Sequence, residues 1–239
     1  YGDHARIVTQ LAFEDILATQ EACQDDLSLA SPLADCIPNE VTMIQCVGPA
    51  ERYCSRICCT TALKNALKLK AVNPDADITI LYRDIRTYGF KERLYTQARE
   101  AGVRFIHYEF DRKPSVTIMP ARRDQTSLIY VDVWEPVLQR EVRLNPDLLV
   151  LSTPVVPSKG TRALASKLKL STDMDGFFLE AHVKLRPVDF SADGVFMAGM
   201  AHYPKFLDET IAQAQAASSR AARVLSQETM MTNARVAHV

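Results

Sequence analysis

Short apolar segments alternate with amphipathic ones in the first half of the chain. Residues 41–47 and 78–82 are rich in β-branched and other apolar side chains, which predicts two buried strands. Between them, apolar positions recur at helical spacing over residues 60–72, and Asn73 with Pro74 predicts the end of that helix. A strand, a helix and a strand in close succession predict a right-handed βαβ unit with parallel strands.

The alternation of strands and helices continues as far as Pro114. A helix is predicted from about residue 91 to 101, before Gly102, and a third strand over residues 103–106. This order predicts the α/β class, with a three-layer dinucleotide-binding (Rossmann-like) domain. After Pro114, short runs broken by turn residues predict an antiparallel β-meander. Its predicted strands are residues 116–119, 127–133 and 137–144.

The segment that precedes this region is less regular. Residues 9–19 predict a short helix, in which the pattern alone favours a solvated position for Glu14. Residues 20–40 are polar and predict a surface loop that contains Cys23 and Cys36. Because neither cysteine has a partner at short spacing, both are interpreted as plain thiols.

The last third of the chain adds three predicted elements. Residues 147–152 predict another buried strand, residues 160–168 a short helix, and residues 208–227 a final helix. The final helix is rich in alanine, and small residues allow a helix to approach a sheet or a flat ligand closely. The polar residues that follow are expected to fray.

Composition and charge exclude several functional classes. The 239 residues include 28 lysines and arginines against 29 aspartates and glutamates, so charge does not favour nucleic acid or a membrane surface as a partner. No apolar run approaches the roughly 18 residues of a membrane span. The six cysteines are clustered, unlike those of a small secreted disulfide framework, which favours a reducing compartment with metal ligation. The chain opens at Tyr1 and is expected to be a piece of a longer polypeptide.

The cysteine loop, residues 45–59, carries four of the six cysteines with the spacing Cys-x7-Cys-x3-Cys-Cys. It lies between a predicted strand and a predicted helix, where a dinucleotide-binding unit would have its glycine-rich phosphate loop. Cys54 and Cys58 are one helical turn apart and face the same way. The helix N-terminus, together with Arg52 and Arg56, is expected to lower thiol pKa values and to favour an anionic centre.

The spacing by itself leaves three interpretations of the cysteine loop. It differs from the Cys-x2-Cys-x2-Cys run of bacterial ferredoxins and from the paired Cys-x2-Cys of zinc ribbons. An iron–sulfur cluster, a zinc site and unligated thiols all remain open on this chemistry. A thioredoxin-type redox pair is disfavoured, because the chain has no Cys-x2-Cys.

Three parts of the sequence resemble the A subunit of heterodisulfide reductase and its relatives. They are residues 43–48 with 53–59, residues 80–87, and residues 194–199 with the following residues 204–205 and 210–214. These motifs are specific, and together they span most of the chain. The resemblance implies a thioredoxin-reductase-like core that binds FAD, and a cysteine-ligated 4Fe-4S cluster in place of the nicotinamide phosphate loop.

The resemblance also implies roles for individual residues near the cluster and the flavin ring. Lys64, on the helix after the cysteine loop, is expected to approach the flavin near N5, and Glu14 matches the acidic residue of the family near the same ring. A cation there would stabilise reduced flavin. The implied cluster ligands are Cys46, Cys54, Cys58 and Cys59.

At the C-terminal end, the resemblance implies a site for the rest of the flavin. Thr210 and Ile211 would donate backbone N–H groups to the pyrimidine edge, and Gly199 with Met200 would border the ribityl chain. Ordinary helix–sheet packing is the alternative for this region. Further candidate flavin contacts are Lys205 and Gln213.

The implied domain organisation has four parts. Residues 1–38 form a linking segment with part of an FAD domain, and residues 39–150 form an NAD-like domain with the cysteines. Residues 151–228 form the C-terminal part of the FAD domain, and residues 229–239 form a frayed tail. The glycine fingerprint that would bind the FAD pyrophosphate is absent and is expected before Tyr1.

The function that the resemblance implies is electron transfer. The chain is expected to come from a cytoplasmic oxidoreductase subunit that passes electrons between FAD and the cluster, with electron bifurcation in some relatives. Expected partners are the other subunits of a heterodisulfide reductase-like complex and an electron-donating hydrogenase or dehydrogenase subunit, and a homodimer is compatible with the sequence.

Several alternatives to this function remain. The nearest is an electron-supplying subunit of a benzoyl-CoA reductase or of a quinone-modifying complex. From a different class comes a zinc-stabilised interaction module without redox activity. An NAD(P)H-dependent disulfide reductase is disfavoured, because the chain has no G-x-G-x-x-G.

Overall fold

The computed structural model of the chain describes residue 2 and residues 4–25, 37–120 and 128–229. The chain divides into two compact units, which we call the first unit (Tyr1–Pro154) and the second unit (Val155–Val239). Each unit is described by itself below.

The first unit contains a parallel sheet and a smaller antiparallel sheet. Its helices are α1 (Gln10–Asp25), α2 (Cys58–Val72) and α3 (Glu92–Glu100). Its strands are β1 (Ile7–Thr9), β2 (Glu40–Ile44), β3 (Asp77–Tyr82), β4 (Arg104–His107), β5 (Ser115–Met119), β6 (Leu128–Glu135), β7 (Arg140–Leu144) and β8 (Leu148–Leu151). The five-stranded sheet has the order β1-β8-β2-β3-β4 with every neighbouring pair parallel, and β5-β6-β7 form the antiparallel sheet.

The parallel sheet is buried on both faces. Successive strand residues point to opposite sides, so Met43 and Ile44 enter different cores. Met43 packs among side chains of α1 and α2, including the fully buried Phe13 and Leu63. Ile44 packs on the opposite face against the antiparallel sheet, including Val131. The result is the predicted three-layer arrangement of helices, parallel sheet and meander.

Most predicted elements of the first unit are confirmed, and two features differ. Residues Ile7–Thr9 form β1, because they pair with β8, a strand distant in sequence. Helix α1 continues to Asp25, so the prediction of a loop from residue 20 was wrong, and Cys23 lies in a helix. Residues 20–25 are mostly good helix formers, and their polarity obscured this. Cys36 lies outside the described residues.

The division between the two units follows Pro154, four residues after the boundary predicted at residue 150. Strand β1 belongs to the same sheet as β2, and α1 packs in the same core as α2, so the described residues before 39 are part of the first unit. The first unit extends to Pro154 rather than to residue 150. The assignment of residues 1–38 and 151–228 to an FAD domain stays a prediction.

As far as residue 229, the second unit has two α-helices and a small core. Its helices are α4 (Thr161–Leu168) and α5 (Leu207–Leu225), and a 3₁₀ turn spans Gly199–Ala201. Phe178, Phe190 and Met197 are buried in its core. No residue of α5 is buried within the described chain. Across the described ranges, none of the helices combines the length and the apolar character that a membrane span requires.

Phe13→Ala is expected to lower the free energy of unfolding of the first unit by about 3 to 5 kcal/mol, because Phe13 is fully buried in its core. Leu11→Ala is the matched control on the same helix. Leu11 is 70% exposed, and its truncation should cost less than about 0.5 kcal/mol. Urea unfolding followed by the fluorescence of Trp134, the single tryptophan, measures both. Equal costs for the two variants would show that α1 is not packed as described.

Candidate functional site

The cysteine loop connects the carboxyl end of β2 to the first turn of α2. Two of its residues, Cys46 (φ 59°) and Arg56 (φ 62°), adopt the left-handed backbone region without being glycine. Such residues cost of order 1 to 3 kcal/mol each and cluster at functional sites. The two strained residues lie near the two ends of the loop, where the chain leaves the strand and where it enters the helix.

The residue before Cys46 is held firmly on both sides. The Gln45 N–H donates to the Leu81 carbonyl oxygen at 2.9 Å, and the Tyr108 hydroxyl donates to the Gln45 carbonyl oxygen at 2.6 Å. Burial raises the pKa of Tyr108, so its hydroxyl stays protonated and can donate this hydrogen bond. Cys46 therefore leaves the sheet from a fixed position.

The four cysteines of the loop converge on one cavity of about 220 Å³. Cys46 comes from the end of β2, Cys54 from the middle of the loop, and Cys58 with Cys59 from the first turn of α2. None of the four forms a disulfide. Four arginines also line the cavity, and they are Arg52, Arg56, Arg83 and Arg86.

Hydrogen bonds tie the thiols to three neighbouring parts of the first unit. The Arg56 N–H donates to Cys54 Sγ at 3.3 Å within the loop. The Cys58 thiol donates to the Thr153 carbonyl oxygen after β8 at 3.8 Å, and the Cys59 thiol donates to the Asp84 carbonyl oxygen after β3 at 3.5 Å. The cavity therefore lies at the carboxyl ends of adjacent parallel strands, where sheets of this type bind ligands.

Burial decides the protonation of these thiols. It is the largest cause that raises the pKa of Cys58 to about 11 and that of Cys59 to about 12, and the neighbouring cysteines contribute in the same direction. Burial also raises the pKa of Cys46, although Arg83 opposes the shift. The expectation that the helix N-terminus would lower thiol pKa values was wrong for these residues, because loss of hydration outweighs it. A metal centre would have to displace these protons.

Four thiols can bind either zinc or an iron–sulfur cluster, so the spacing of the thiols bears on the kind of metal centre. Among the described residues, no group of three or more His, Cys, Asp or Glu side chains is placed to hold a metal ion. Four thiolates on one tetrahedral zinc ion would bring their sulfurs to about 3.8 Å from one another. A polynuclear iron–sulfur cluster separates its thiolates more widely, because different irons bind different cysteines. Four soft donors around one cavity, with cationic side chains beside them, fit such a cluster.

Lys64 and Glu14, each predicted to lie near a flavin ring, are neighbours in the structure. They form an ion pair between α2 and α1, and each side chain is more than a third exposed. The neighbouring Asn65 is fully buried and donates to the Gln10 backbone carbonyl oxygen at 3.2 Å and to Gln10 Oε1 at 2.9 Å. Sequence reasoning missed this amide pair, which joins the two helices. The available signal was Asn65 itself, a polar residue at a helix position where an apolar one is expected.

In the second unit, Gly199 adopts a conformation that only glycine accepts readily. Its φ is +73°, and a Cβ atom there would lie 3.3 Å from Thr210 Cγ2. The Gly199 N–H donates to Gln213 Oε1 at 2.9 Å, and Lys205 Nζ donates to the Gly199 carbonyl oxygen at 3.1 Å. Lys205 and Gln213 therefore hold residues 199–206, which we call the Gly199 loop.

Of the other predicted flavin contacts, Met200 lies in this loop, and Thr210 and Ile211 lie in the first turns of α5. Met200 is 49% and Ile211 50% exposed. The Thr210 N–H donates to the Phe206 carbonyl oxygen at 2.9 Å, because α5 begins at Leu207, one residue before the predicted start. The Thr210 N–H is thus engaged in the helix in this conformation, and a bond from it to a flavin would have to replace this one.

Sequence reasoning also missed His202, which lies in the Gly199 loop, and Glu180, its hydrogen-bond partner. His202 Nε2 lies 2.8 Å from Glu180 Oε2, and His202 Nδ1 lies 2.8 Å from Gln213 Nε2. His202 is three residues from Gly199, a proximity that could have suggested it. Glu180 is far from the loop in sequence, and no spacing pointed to it.

The fold is that of the thioredoxin-reductase-like flavoprotein disulfide reductases. The Escherichia coli flavoprotein disulfide reductase RclA superposes with a TM-score of 0.52 at 12% identity, over 91% of this chain and 39% of RclA. Thioredoxin reductase of Lactococcus lactis gives a TM-score of 0.50 at 18% identity, over 79% of this chain and 54% of that one. At these identities the likeness concerns the fold alone. A scan against models of protein families found no match.

Sequence similarity defines the family. The chain is 44% identical over 190 residues to the A subunit of ferredoxin:CoB-CoM heterodisulfide reductase from Methanosarcina acetivorans, which covers 77% of this chain and 23% of the relative. It is 34% identical over 232 residues to the A subunit of H(2):CoB-CoM heterodisulfide,ferredoxin reductase from Methanothermobacter thermautotrophicus, covering 93% of this chain and 33% of the relative. The chain belongs to the family of the heterodisulfide reductase A subunit, and it spans a third or less of the length of these relatives.

In the metal-free protein, Cys58 is expected to react slowly with iodoacetamide, because the thiolate is the reactive form. A pKa of about 11 leaves about one side chain in a hundred ionised at pH 9, against about half for a thiol at the ordinary value of 9.0. Mass spectrometry of alkylated peptides at several pH values measures the rate, with urea-unfolded protein as the control. Equal native and unfolded rates at pH 9 would contradict the described burial.

Proposed function

We propose that this chain is part of the electron-transfer subunit of a heterodisulfide reductase-like complex, and that the whole protein is an oxidoreductase. In this proposal the cysteine loop holds a 4Fe-4S cluster and the second unit contributes to an FAD site. The observation that carries it is the convergence of Cys46, Cys54, Cys58 and Cys59 on one cavity at the carboxyl end of a parallel sheet.

The surroundings of the cavity support an anionic centre. The N-terminus of α2 directs its partial positive charge toward the first helical turn, where Cys58 and Cys59 lie. Arg83 and Arg86 line the same cavity and would offset the charge of the thiolates. The cluster would supply one-electron transfer when bound, and the protein would set its potential through burial, charge and hydrogen bonds to the sulfurs.

The position of the loop argues against binding of a nicotinamide cofactor at this strand–helix turn. A phosphate loop needs closely spaced glycines so that the backbone can approach the pyrophosphate. Here the turn contains Gly48 as its one glycine and is lined by thiols instead. The site is therefore suited to a metal cluster in the place where related folds bind a dinucleotide phosphate.

We propose that Lys64 faces the flavin ring and that Glu14 holds its ammonium group in place. An ion pair this exposed contributes about 0 to 1 kcal/mol to stability, so stability alone does not explain it. Cys59 and Lys64 lie on one helix, five residues apart, which is about 8 Å along its axis. The same rigid helix would thus hold the cluster and place a cation for reduced flavin.

In the second unit, the Gly199 loop and the start of α5 would border the flavin. Met200 and Ile211 are half exposed beside Gly199 and are available for contact. Lys205 and Gln213 bind the Gly199 peptide group, so in this proposal they shape the loop that meets the flavin. Thr210 would act through its packing beside Gly199.

The partners and the location of the whole protein follow from the same proposal. The names of related A subunits include H(2), ferredoxin and ferredoxin/F(420)H(2). We propose that the chain works with the other subunits of such a complex and with an electron-donating hydrogenase or dehydrogenase subunit, and that electron bifurcation at FAD occurs in the complete assembly. Four cysteines without disulfides fit a reducing, cytoplasmic location.

Cys59→Ser is expected to abolish cluster assembly, because it removes one of the four proposed ligands. Anaerobically purified wild-type protein should contain about four irons and four acid-labile sulfides per chain, and the variant much less of both. Cys23→Ser is the matched control, a cysteine on α1 outside the loop, and it should retain wild-type contents. Stoichiometric zinc without sulfide in the wild type would refute the cluster and favour the zinc module.

Lys64→Met is expected to lower the reduction potential of FAD bound to the full-length protein by about 30 mV or more, equivalent to a tenfold change for a two-electron couple. The physical reason is the loss of a cation that stabilises reduced flavin. Lys68→Met, one turn further along α2, should stay close to the wild-type potential. Anaerobic spectroscopic redox titration measures all three proteins. A potential unaffected by Lys64→Met would remove Lys64 from the flavin site.

A further inference from the structure

A chain of three side chains ends on the Gly199 loop of the second unit. Gly199 N–H bonds to Gln213 Oε1 at 2.9 Å, Gln213 Nε2 lies 2.8 Å from His202 Nδ1, and His202 Nε2 lies 2.8 Å from Glu180 Oε2. The Glu180 side chain is 13% exposed and that of His202 23%. Every contact in the series has the length of a good hydrogen bond.

The backbone donor at one end fixes the direction of the whole series. A peptide N–H only donates, so Gln213 must present its oxygen to Gly199 and its NH₂ group to His202. An NH₂ group only donates, so Nδ1 of His202 must accept and the ring proton must lie on Nε2. Nε2–H then donates to the Glu180 carboxylate. One tautomer of His202 therefore satisfies every group.

The carboxylate end of the series is consistent with this direction. Burial by itself would raise the pKa of Glu180, but a backbone hydrogen bond and the bond from His202 outweigh it, and the pKa is lowered. Glu180 is thus ionised at neutral pH and accepts the hydrogen bond from His202 Nε2–H.

The Gly199 carbonyl oxygen is held separately. Lys205 Nζ donates to the carbonyl oxygens of Gly199 and Tyr203.

We propose that His202 is a positioning residue, which, held by Glu180, keeps Gln213 turned toward Gly199 and so fixes the Gly199 loop. One part of this inference, that the Gly199 loop borders the flavin, rests on the proposed function. The left-handed glycine gives the loop its turn, and because glycine is conformationally permissive, the surrounding contacts must hold it in this one conformation. Gln213 Oε1, which accepts from the Gly199 N–H, and Lys205 Nζ, which donates to the Gly199 carbonyl oxygen, are those contacts.

Two substitutions separate hydrogen bonding from packing at His202. His202→Gln keeps an acceptor and a donor on one planar group and cannot change charge. His202→Phe keeps an aromatic ring of similar shape and loses both hydrogen bonds. A role in packing alone would be preserved by phenylalanine, whereas the proposed role would be preserved by glutamine.

The test measures amide hydrogen exchange of Gly199 by NMR in the wild type and both variants, together with the ¹⁵N shifts of the His202 ring. The wild type should show the Nε2–H tautomer and slow exchange. In His202→Gln, the exchange rate of the Gly199 amide should stay within about threefold of the wild-type rate. In His202→Phe it should be about tenfold faster or more. Unchanged exchange in His202→Phe, or the Nδ1–H tautomer in the wild type, would overturn the proposal.

A second measurement keeps this inference distinguishable from the proposed flavin site. FAD affinity of the full-length protein is followed by flavin fluorescence in the same three forms. His202→Phe should bind about tenfold more weakly, and His202→Gln within about threefold of the wild type. If wild-type protein binds no FAD, the flavin site fails, while the exchange rates still decide the role of His202. If exchange follows the expected order and affinity does not change, the loop does not meet the flavin.

Discussion

The convergence of four thiols, one buried and three half-buried, at the carboxyl end of a parallel sheet is the constraint on which the rest of the first unit depends. The sulfur donors reach one cavity because the loop runs from the carboxyl end of β2 to the first turn of α2, with Cys46 and Arg56 in left-handed backbone. Burial then holds Cys58 and Cys59 in the protonated form until something replaces the protons. The loop is strained and poorly hydrated, and a bound centre would satisfy the thiols that burial leaves neutral.

Helix α2 joins this cavity to the other proposed site. Its first turn carries Cys58 and Cys59, and Lys64 follows less than two turns later. The buried Asn65 fixes α2 to α1 through Gln10, and this contact places Glu14 beside Lys64. A metal centre and a cation near a flavin would thus be held at a constant separation by one helix and its neighbour.

The sequence predicted the parts of the fold whose signals are local. The βαβ unit, the meander and the final helix were evident from periodicity and from turn residues such as Asn73. Strand β1 was missed because three residues give no periodicity and their partner, β8, is distant in sequence. The direction of the thiol pKa shifts was missed because spacing indicates which charges are near but not how far burial removes water. Glu180 was missed because its contact with His202 depends on tertiary structure.

The most direct test of the central claim is iron K-edge X-ray absorption of the anaerobically reconstituted chain. The account predicts that iron is coordinated by sulfur alone and that a neighbouring iron shell is present, as in a polynuclear cluster held by cysteines. The absence of an iron–iron shell, or iron bound mainly by oxygen or nitrogen, would contradict the claim that these four cysteines hold one cluster.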